Sequence, residues 1–479
     1  MASDRKEMSC HAKLGLNNEE GEMKMEEKEL QDKLSVAAVN RKCFIKGILA
    51  AGAAPVIVPA SVLGKDAPSN KIAIGAIGLG ARASGDVPEF MANPKVRLVA
   101  MSDCNRRRLT SGWAPRAVER AYGKNHGVRA VEDFREVCTA PDVDAVVIIT
   151  NLHWHPYMTL LALKSGKHVF MAKPFAPSIE EGRLIVEAAK KSGKVFQVGF
   201  QRRDMLNFRW AAELALNGEL GEIKEVICAT VGNSHWDILP EQPVPEWMDW
   251  KRWCGPCEVV PFHEKKLSIW PTELMSQFSP NGMMQCWGCH YLDIAQFGLQ
   301  REHKLPVEVN GFGTFPYPGS SLTDTAVAWN VDYLYDDGLR LKFVDNATNP
   351  YGLVHGVKFV GTKGWAQGEE RGFKTSIPNI AKTGLKHGKM PIKLPHYKGG
   401  VIADFVATVA EGRKECVMTQ AEKCWHSDMM PQMAMHSIMR GRKLKFDAKT
   451  LRYTNDEDAN KLLRVRPYRN EWRLEDVRV

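Results

Sequence analysis

The chain has 479 residues, of which 44% are hydrophobic and 25% charged, and its formal net charge is +9. This length can bury two ordinary hydrophobic cores, and the composition is typical of a globular protein. The basic residues are scattered rather than striped and are not interleaved with aromatic residues, which argues against a nucleic-acid site.

Two N-terminal segments differ from the rest of the chain. Residues 1–36 alternate acidic and basic side chains with few apolar anchors, which predicts a charged mobile tail. Residues 37–69 hold a basic flank, an apolar stretch and a polar exit, which predicts a degenerate export signal and linker. Pro55 and Pro59 interrupt the apolar stretch, so no stable membrane span is expected. If the signal works, the protein is periplasmic or extracytoplasmic; otherwise it is cytoplasmic.

A strand, a glycine turn and a helix follow one another after this segment. Ile72–Ile77 predicts a buried strand, Gly78-Leu79-Gly80 a tight turn, and the helix begins near Arg82. Such a turn lets backbone N–H groups approach the diphosphate of a dinucleotide. The next predicted strand, Val96–Asp103, ends on a carboxylate that can accept ribose hydroxyls and favours NAD. Three arginines at 106–108 could neutralise a 2′-phosphate, so NADP is the alternative.

Strands and helices alternate from residue 70 to residue 199. Apolar runs predict strands at 145–150, 167–171 and 194–199, and a helix at 179–192. The alternation predicts an N-terminal Rossmann domain with a doubly wound parallel sheet. Its ligand should lie at the carboxyl ends of the strands, where Gly78, Asp103, Thr150 and Lys173 fall.

The pattern changes after Gln201. Residues 200–445 predict a C-terminal α/β substrate domain, an α+β arrangement with a large, mostly antiparallel open sheet. Its strands are expected near 223–231, 307–315, 325–335, 339–343 and 357–361. The Pro- and Trp-rich stretch from Pro240 to Pro271 is expected to be an irregular excursion. Residues 446–479 are expected to form a tail that packs back on the body of the protein. The expected fold class of the whole chain is α/β.

Two side chains in this arrangement suit the oxidation of an alcohol. Lys173 follows a predicted strand and is fixed by Pro174, which would place its amine at the cofactor edge. His290 lies in an apolar helical stretch with Asp293 three residues on, so both are expected on one face. Alcohol oxidation needs a base for the hydroxyl proton while hydride leaves the same carbon, and histidine suits that role. A buried core histidine and a surface lysine are the alternative interpretations.

Taken together, the motifs resemble those of the Gfo/Idh/MocA family, named for glucose–fructose oxidoreductase and inositol dehydrogenase. The resemblance runs from about residue 40 to 474 and is strongest to a branch with a twin-arginine-like leader, although Lys42 replaces the second arginine. The motifs are Gly78-x-Gly80-x-Arg82, Thr150-x-x-His-Trp-His155, Lys173-Pro174, Phe200-Gln-Arg-Arg203, Trp287-Gly-x-His290 with Asp293, Gly361-Thr-Lys-Gly-Trp365, and the ending from Tyr453 through Asn460 to Arg469. The resemblance implies NAD(P)-dependent hydride transfer on a sugar, cyclitol or related polyol, in a homo-oligomer.

The resemblance also implies roles for individual residues. Lys173 would hold the substrate hydroxyl, and His290 would transfer the proton. The cofactor would be bound by Gly78, Leu79, Gly80, Ala81, Arg82, Asp103, Thr150, His155 and Lys173, and the substrate by Lys173, Gln201, Arg202, Cys286, His290 and Tyr291. Two positions depart from the family: Ala172 stands where it has a glutamate, and Cys286 where it has a substrate-binding aspartate. Because a thiol is a weak acceptor, slow or altered catalysis is expected.

Other functions stay open. Some relatives with similar leaders cleave glycosides through transient oxidation by tightly held NAD, and here Tyr291 or His153 would be the extra acid. Cys286 instead favours a protein that binds the dinucleotide without turnover. Cys286-Trp-Gly-Cys289-His290 also fits a haem attachment pattern, and the pairs Cys254/Cys257 and Cys286/Cys289 could bind zinc or form disulfides. Because the flanking sequence fits the family's own motif, no metal is expected.

Overall fold

The computed structural model describes residues 70–347, 349–378 and 390–479. The tail predicted at 1–36 and the leader-like segment at 37–69 lie outside the described residues. All the elements below belong to the unit Lys65–Val479. Within the part of the chain that the structure describes, none of the helices combines the length and the apolar run that crossing a bilayer requires.

Six parallel strands form the sheet of the first domain. They are β1 (Ile72–Ile77), β2 (Val96–Ser102), β3 (Arg129–Val131), β4 (Ala145–Ile148), β5 (His168–Met171) and β6 (Phe196–Val198). The helices between them are α1 (Ala83–Ala92), α2 (Arg106–Thr110), α3 (Trp113–Tyr122), α4 (Phe134–Thr139), α5 (His155–Lys164) and α6 (Ile179–Ser192). The strand order is β3-β2-β1-β4-β5-β6, with every pair parallel. This confirms the doubly wound sheet, whose order reverses between β1 and β4.

The second domain is built on a nine-stranded sheet. Its strands are β7 (Ile223–Thr230), β8 (Glu308–Thr314), β9 (Ala328–Leu334), β10 (Arg340–Asp345), β11 (Gly356–Gly361), β12 (Gly364–Glu369), β13 (Gly372–Thr375), β14 (Leu444–Asp447) and β15 (Arg452–Tyr453). The order is β13-β12-β11-β7-β10-β9-β8-β14-β15, and β7 with β10 is the parallel pair in an otherwise antiparallel sheet. The mostly antiparallel second sheet is confirmed.

Within the described residues, eight helices follow the first domain in the chain. They are α7 (Leu206–Leu216), α8 (Trp250–Cys254), α9 (Ile269–Leu274), α10 (Gly282–Cys286), α11 (Gly288–Gly298), α12 (Gly400–Ala410), α13 (Ala421–Arg440) and α14 (Glu457–Leu462). Of these, α7, α11 and α13 pack against strands of the nine-stranded sheet. The long helix α13 packs against α6 of the first domain and against α11 and β8 of the second. The two domains therefore share one apolar core. The stretch expected to be irregular, Pro240–Pro271, in fact contains α8 and the start of α9.

Helix α12 belongs to the second domain by its position in the sequence but packs on the first domain. Although α12 lies within residues 200–445, its buried side chains Val401, Ile402 and Phe405 pack with Ile74 and Phe90 of the parallel sheet and its first helix. A parallel sheet needs cover on both faces, and α12 supplies part of it. The C-terminal residues also pack on the first domain, where Trp472 lies edge-on to Trp154.

A buried ion cluster fixes the start of the second domain. The Arg203 side chain is 1% exposed, and its guanidinium donates to both oxygens of Asp293 (2.7 and 2.5 Å) and pairs with Glu302 (2.7 Å). Asp293 therefore turns to Arg203 and not toward the histidine three residues before it. Removing one member of a buried ion cluster leaves an uncompensated charge, which is strongly destabilising.

We predict that Arg203→Met lowers the free energy of unfolding by about 3–5 kcal/mol, because Asp293 and Glu302 lose their counter-charge. The matched control is Arg473→Met, whose partner Asp476 is 50% exposed and whose own side chain is 60% exposed; it should cost less than about 1 kcal/mol. Urea-induced unfolding of both variants measures the difference. Equal stability of the two variants would contradict the structural role of the cluster.

Candidate active site

Gly78 closes the turn at the end of β1. Its φ is +84°, and a Cβ there would lie 2.3 Å from the carbonyl oxygen of Ile149, just past β4. Only glycine satisfies both constraints. The backbone N–H of Leu79 donates to the Asp103 carboxylate (2.8 Å), which ties the turn to the end of β2. The turn thus lies where the carboxyl ends of β1, β2 and β4 meet.

The start of α1 presents free backbone donors to this corner. Among the residues that the structure describes, the N–H groups of Gly80, Ala81 and Arg82 donate to no protein acceptor. A Cβ at Gly80 would meet only the Arg108 guanidinium, at 3.6 Å, so the backbone is open on that side. Free N–H groups at the positive end of a helix suit a diphosphate. The residues present therefore fit a nicotinamide dinucleotide.

Asp103 is 6% exposed and faces the same corner. Its carboxylate accepts from the backbone N–H groups of Leu79 and Asn105 and pairs with Arg108 (3.2 Å). The other two arginines of the triplet have partners elsewhere: Arg106 pairs with Glu132, and Arg107 lies over the Trp247 ring. Arg108 is thus the arginine of the triplet that faces the cofactor corner.

A cavity of about 540 Å³ joins this corner to the second domain. Ten of the residues predicted from the sequence line it: Gly78, Gly80, Ala81, Arg82, Asp103, Thr150, Lys173, Gln201, Arg202 and His290. Four do not: Leu79, His155, Cys286 and Tyr291. The amine and the imidazole singled out by the sequence therefore share one cavity with the glycine turn.

Lys173 is held across the domain boundary. Its Nζ donates to the carbonyl oxygen of Cys286 (2.7 Å) and lies 3.6 Å from the Cys286 Sγ. The following loop is fixed by Asp428 of α13, whose carboxylate accepts from the backbone N–H groups of Phe175 (3.1 Å) and Ala176 (3.3 Å). The ammonium is thus positioned by groups from both domains.

His290 is a buried base surrounded by cations. It is 1% exposed on α11, and its Nε2 lies 3.2 Å from Nη1 of Arg202. Because a guanidinium only donates, Nε2 is the acceptor, and we assign the ring proton to Nδ1. Burial first, then Arg202, Lys173 and Arg82, hold the pKa of His290 well below its usual range. The imidazole is therefore neutral, with its lone pair on the nitrogen that faces Arg202.

Arg202 connects His290 to a carboxylate of the second sheet. Its Nε donates to Glu370 (2.8 Å), which also accepts from the Tyr291 hydroxyl (3.0 Å). Tyr291 is fully buried, so it supports Glu370 and does not face the cavity. The substrate contact expected at Tyr291 is therefore indirect in this structure.

His155 acts from behind the cavity wall. The ring is fully buried, with Nδ1 2.7 Å from the carbonyl oxygen of Pro174 and Nε2 3.2 Å from that of Thr150. Burial lowers the pKa of His155 to about 4, so the ring is neutral. A neutral ring has one N–H and therefore donates to one of these two carbonyl oxygens. The ring lies behind the ends of β4 and β5 and does not line the cavity.

Sequence reasoning missed two acidic residues of the cavity wall, Glu132 and Glu273. Glu132 pairs with Arg106. Glu273, on α9 just after the Pro- and Trp-rich stretch, lines the cavity with Lys173 and His290. No motif or periodicity distinguishes it from the glutamates of that stretch. Its position depends on the path of an irregular segment, which the sequence pattern does not encode.

The cysteine pairs have structural explanations. All nine cysteines in the described ranges are free, and no group of three or more His, Cys, Asp or Glu side chains there is placed to hold a metal. Gly255 has a φ of +57°, and a Cβ there would lie 2.3 Å from the Trp154 ring, so the Cys254–Cys257 turn is shaped by packing. The Cys257 thiol donates to the Gln277 carbonyl (2.9 Å).

Two family models match the chain. Residues 72–200 match "Oxidoreductase family, NAD-binding Rossmann fold", and residues 228–474 match "Oxidoreductase family, C-terminal alpha/beta domain". Both belong to the Gfo/Idh/MocA oxidoreductases. Together they cover the parallel sheet and nearly all of the second domain.

Curated relatives match over shorter stretches. The uncharacterized oxidoreductase YrbE of Bacillus subtilis is 30% identical over 154 residues, 32% of this chain and 42% of its own length. The myo-inositol 2-dehydrogenase of Thermotoga maritima is 30% identical over 149 residues, 31% of this chain and 42% of its length. A glycosyl hydrolase family 109 protein of Shewanella sp. (strain MR-4) is 28% identical over 188 residues, which are 37% of this chain and 39% of its own length. These matches span about two fifths of each relative.

Solved structures share the fold over their full length. GenD2 from gentamicin A biosynthesis, in complex with NAD, has a TM-score of 0.56 at 18% identity and covers 79% of this chain and 97% of its own. The aldose-aldose oxidoreductase of Caulobacter crescentus, complexed with glycerol, has a TM-score of 0.55 at 19% identity and covers 78% and 100%. With both domains matched by family models, the chain belongs to the Gfo/Idh/MocA family of NAD-binding oxidoreductases.

Proposed function

We propose that the protein is an NAD(P)-dependent oxidoreductase that transfers hydride between a nicotinamide cofactor and a CH–OH group of a sugar, cyclitol or related polyol. The observation that carries the proposal is the shared cavity, in which Lys173 and a neutral His290 lie beside the open helix start at Gly80. The names of two relatives, a myo-inositol 2-dehydrogenase and an aldose-aldose oxidoreductase, support this substrate class.

Three side chains of the cavity, Lys173, Arg202 and His290, have different roles in the proposed reaction. A nicotinamide ring bound there would exchange hydride with the substrate carbon. His290 takes the hydroxyl proton on Nε2, which requires Arg202 to turn from that nitrogen when the substrate enters. Lys173 donates to the substrate oxygen, and the positive charges of Lys173 and Arg202 stabilise the negative charge that develops on it.

We predict that Lys173→Met and His290→Asn each lower kcat/KM for a responsive polyol by roughly 10²–10⁴-fold, because each removes a group that acts on the reacting oxygen. For His290→Asn, NAD affinity measured by protein fluorescence should stay within about threefold of the unmodified protein, a change of under about 1 kcal/mol. The controls are Lys190→Met and His303→Asn, which alter exposed side chains outside the cavity. Full activity of either cavity variant would refute the assigned roles.

The depressed pKa of His290 predicts the pH dependence. Only the unprotonated imidazole accepts a proton, and its pKa lies well below 6.5, so the acid limb of kcat/KM for oxidation should fall below pH 6.5. Arg202→Gln removes a neighbouring cation and should move this limb to higher pH, whereas Arg202→Lys keeps the charge and should not. A limb at or above pH 6.5 in the unmodified protein, or one indifferent to Arg202→Gln, would contradict this assignment.

For the cofactor we propose NAD, with NADP as the alternative. The Asp103 carboxylate faces the cavity and would repel a 2′-phosphate, although Arg108 offsets part of its charge. Arg108→Met should therefore leave NAD affinity within about threefold and weaken NADP binding by roughly tenfold or more, as expected for the loss of one hydrogen bond between charged groups. Tighter binding of NADP than NAD by the unmodified protein would reverse this choice.

The second candidate is an NAD-dependent glycosidase that acts by transient oxidation and elimination, favoured by the match to a glycosyl hydrolase family 109 protein. The two side chains suggested as its extra acid do not line the cavity. Tyr291 donates to Glu370, and His153 is fully buried beside the carbonyl oxygen of Trp253. Release of phenol from aryl glycosides without net change in cofactor redox state would support this candidate over the first.

A further inference from the structure

The cavity wall contains a buried carboxylate with no partner of opposite charge in direct contact among the described residues. Glu273 is 4% exposed and lines the cavity, and the Ser279 hydroxyl donates to its Oε2 (2.7 Å). Burial raises the pKa of this carboxyl, and the nearby Lys173, Ser279 and Cys286 oppose that rise. Burying a carboxylate is costly unless its acceptor sites are filled. The Ser279 hydroxyl, a neutral donor, leaves part of that acceptor capacity free.

Cys286 lies near both Glu273 and Lys173. Its thiol lies 3.6 Å from the Lys173 Nζ and is close enough to Glu273 for the carboxylate to raise the thiol pKa. Burial, followed by Glu273, raises the pKa of this thiol to about 12, so it is a neutral donor. The Lys173 ammonium has three N–H donors, of which the Cys286 carbonyl and thiol occupy at most two. The wall thus offers a strong donor and a strong acceptor separated by one small side chain.

We propose that Glu273 is a substrate-binding residue that accepts a second hydroxyl of the substrate, next to the one held by Lys173, so that the site selects vicinal diols. This inference rests on the proposed function and narrows its substrate class to polyols with adjacent hydroxyl groups. A donor and an acceptor side by side match two neighbouring hydroxyls, of which one accepts and the other donates. A monohydroxy alcohol, or a sugar lacking the second hydroxyl, would leave the buried carboxylate without its donor.

The test uses the full chain loaded with NAD. Calorimetry measures the binding of myo-inositol and of glucose, and absorbance measures turnover; 2-deoxyglucose is the analogue that lacks one hydroxyl. Glu273→Gln should weaken binding or kcat/KM for the polyols by roughly 10–100-fold, the range expected for a hydrogen bond to a charged group. It should also reduce the preference for glucose over 2-deoxyglucose, which a purely structural role would not change. The thermal midpoint and NAD affinity of each variant report whether the fold is kept.

Two further variants make the result decisive. The double variant Glu273→Gln/Cys286→Asp removes the carboxylate at position 273 and places a new one at the neighbouring position 286. Its polyol affinity or kcat/KM should be at least tenfold higher than that of Glu273→Gln alone. Cys286→Asp alone should bring no gain, since two touching buried carboxylates do not both ionise. The matched control is Glu264→Gln, which alters an exposed glutamate of the preceding Pro- and Trp-rich stretch that does not line the cavity.

The outcomes separate this inference from the proposed function. If myo-inositol or glucose binds but is not oxidised, and Glu273→Gln weakens that binding, the diol site stands and hydride transfer to these polyols is refuted. If the polyols are oxidised and Glu273→Gln changes neither kcat/KM nor the preference against 2-deoxyglucose, the diol site is refuted. If neither polyol binds to the NAD-loaded protein, both proposals fail.

Discussion

The hydrogen bond from the Lys173 ammonium to the carbonyl oxygen of Cys286 joins the two domains at the cavity. Lys173 follows the parallel strand β5, and Cys286 ends α10 of the second domain. This contact fixes the distance between the cofactor corner and α11, which carries His290. Asp428 secures the same junction from α13 by holding the loop after Lys173. The geometry of the candidate site therefore depends on how the domains meet rather than on either domain alone.

The electrostatics of the cavity follow from burial. An imidazole that is 1% exposed among Lys173, Arg202 and Arg82 does not take up a second proton, so His290 stays neutral. The carboxylates Glu370 and Asp103 pair with Arg202 and Arg108, which limits the net positive charge of the cavity. The site therefore combines a neutral imidazole, whose acceptor nitrogen faces Arg202, with several nearby cations.

Features set by local pattern were predictable from the sequence. Apolar periodicity predicts strands β1, β2, β4 and β5 and places Lys173 at the end of a strand. The glycine spacing predicts the turn after β1. Features set by long-range packing were not. The return of α12 to the parallel sheet, the pairing of Asp293 with Arg203 and the burial of His155 and Tyr291 depend on contacts between residues distant in sequence. Glu273 could not be found because its segment lacks periodicity.

The central claim is that this cavity transfers hydride to a bound nicotinamide. The most direct measurement is a single turnover of the NAD-loaded protein with a polyol deuterated at its carbinol carbons, followed by absorbance at the wavelength of reduced nicotinamide. The account predicts that reduced cofactor forms on the protein and that deuterium slows its formation. If the cofactor stays oxidised although myo-inositol or glucose is bound in the cavity, the central claim is contradicted.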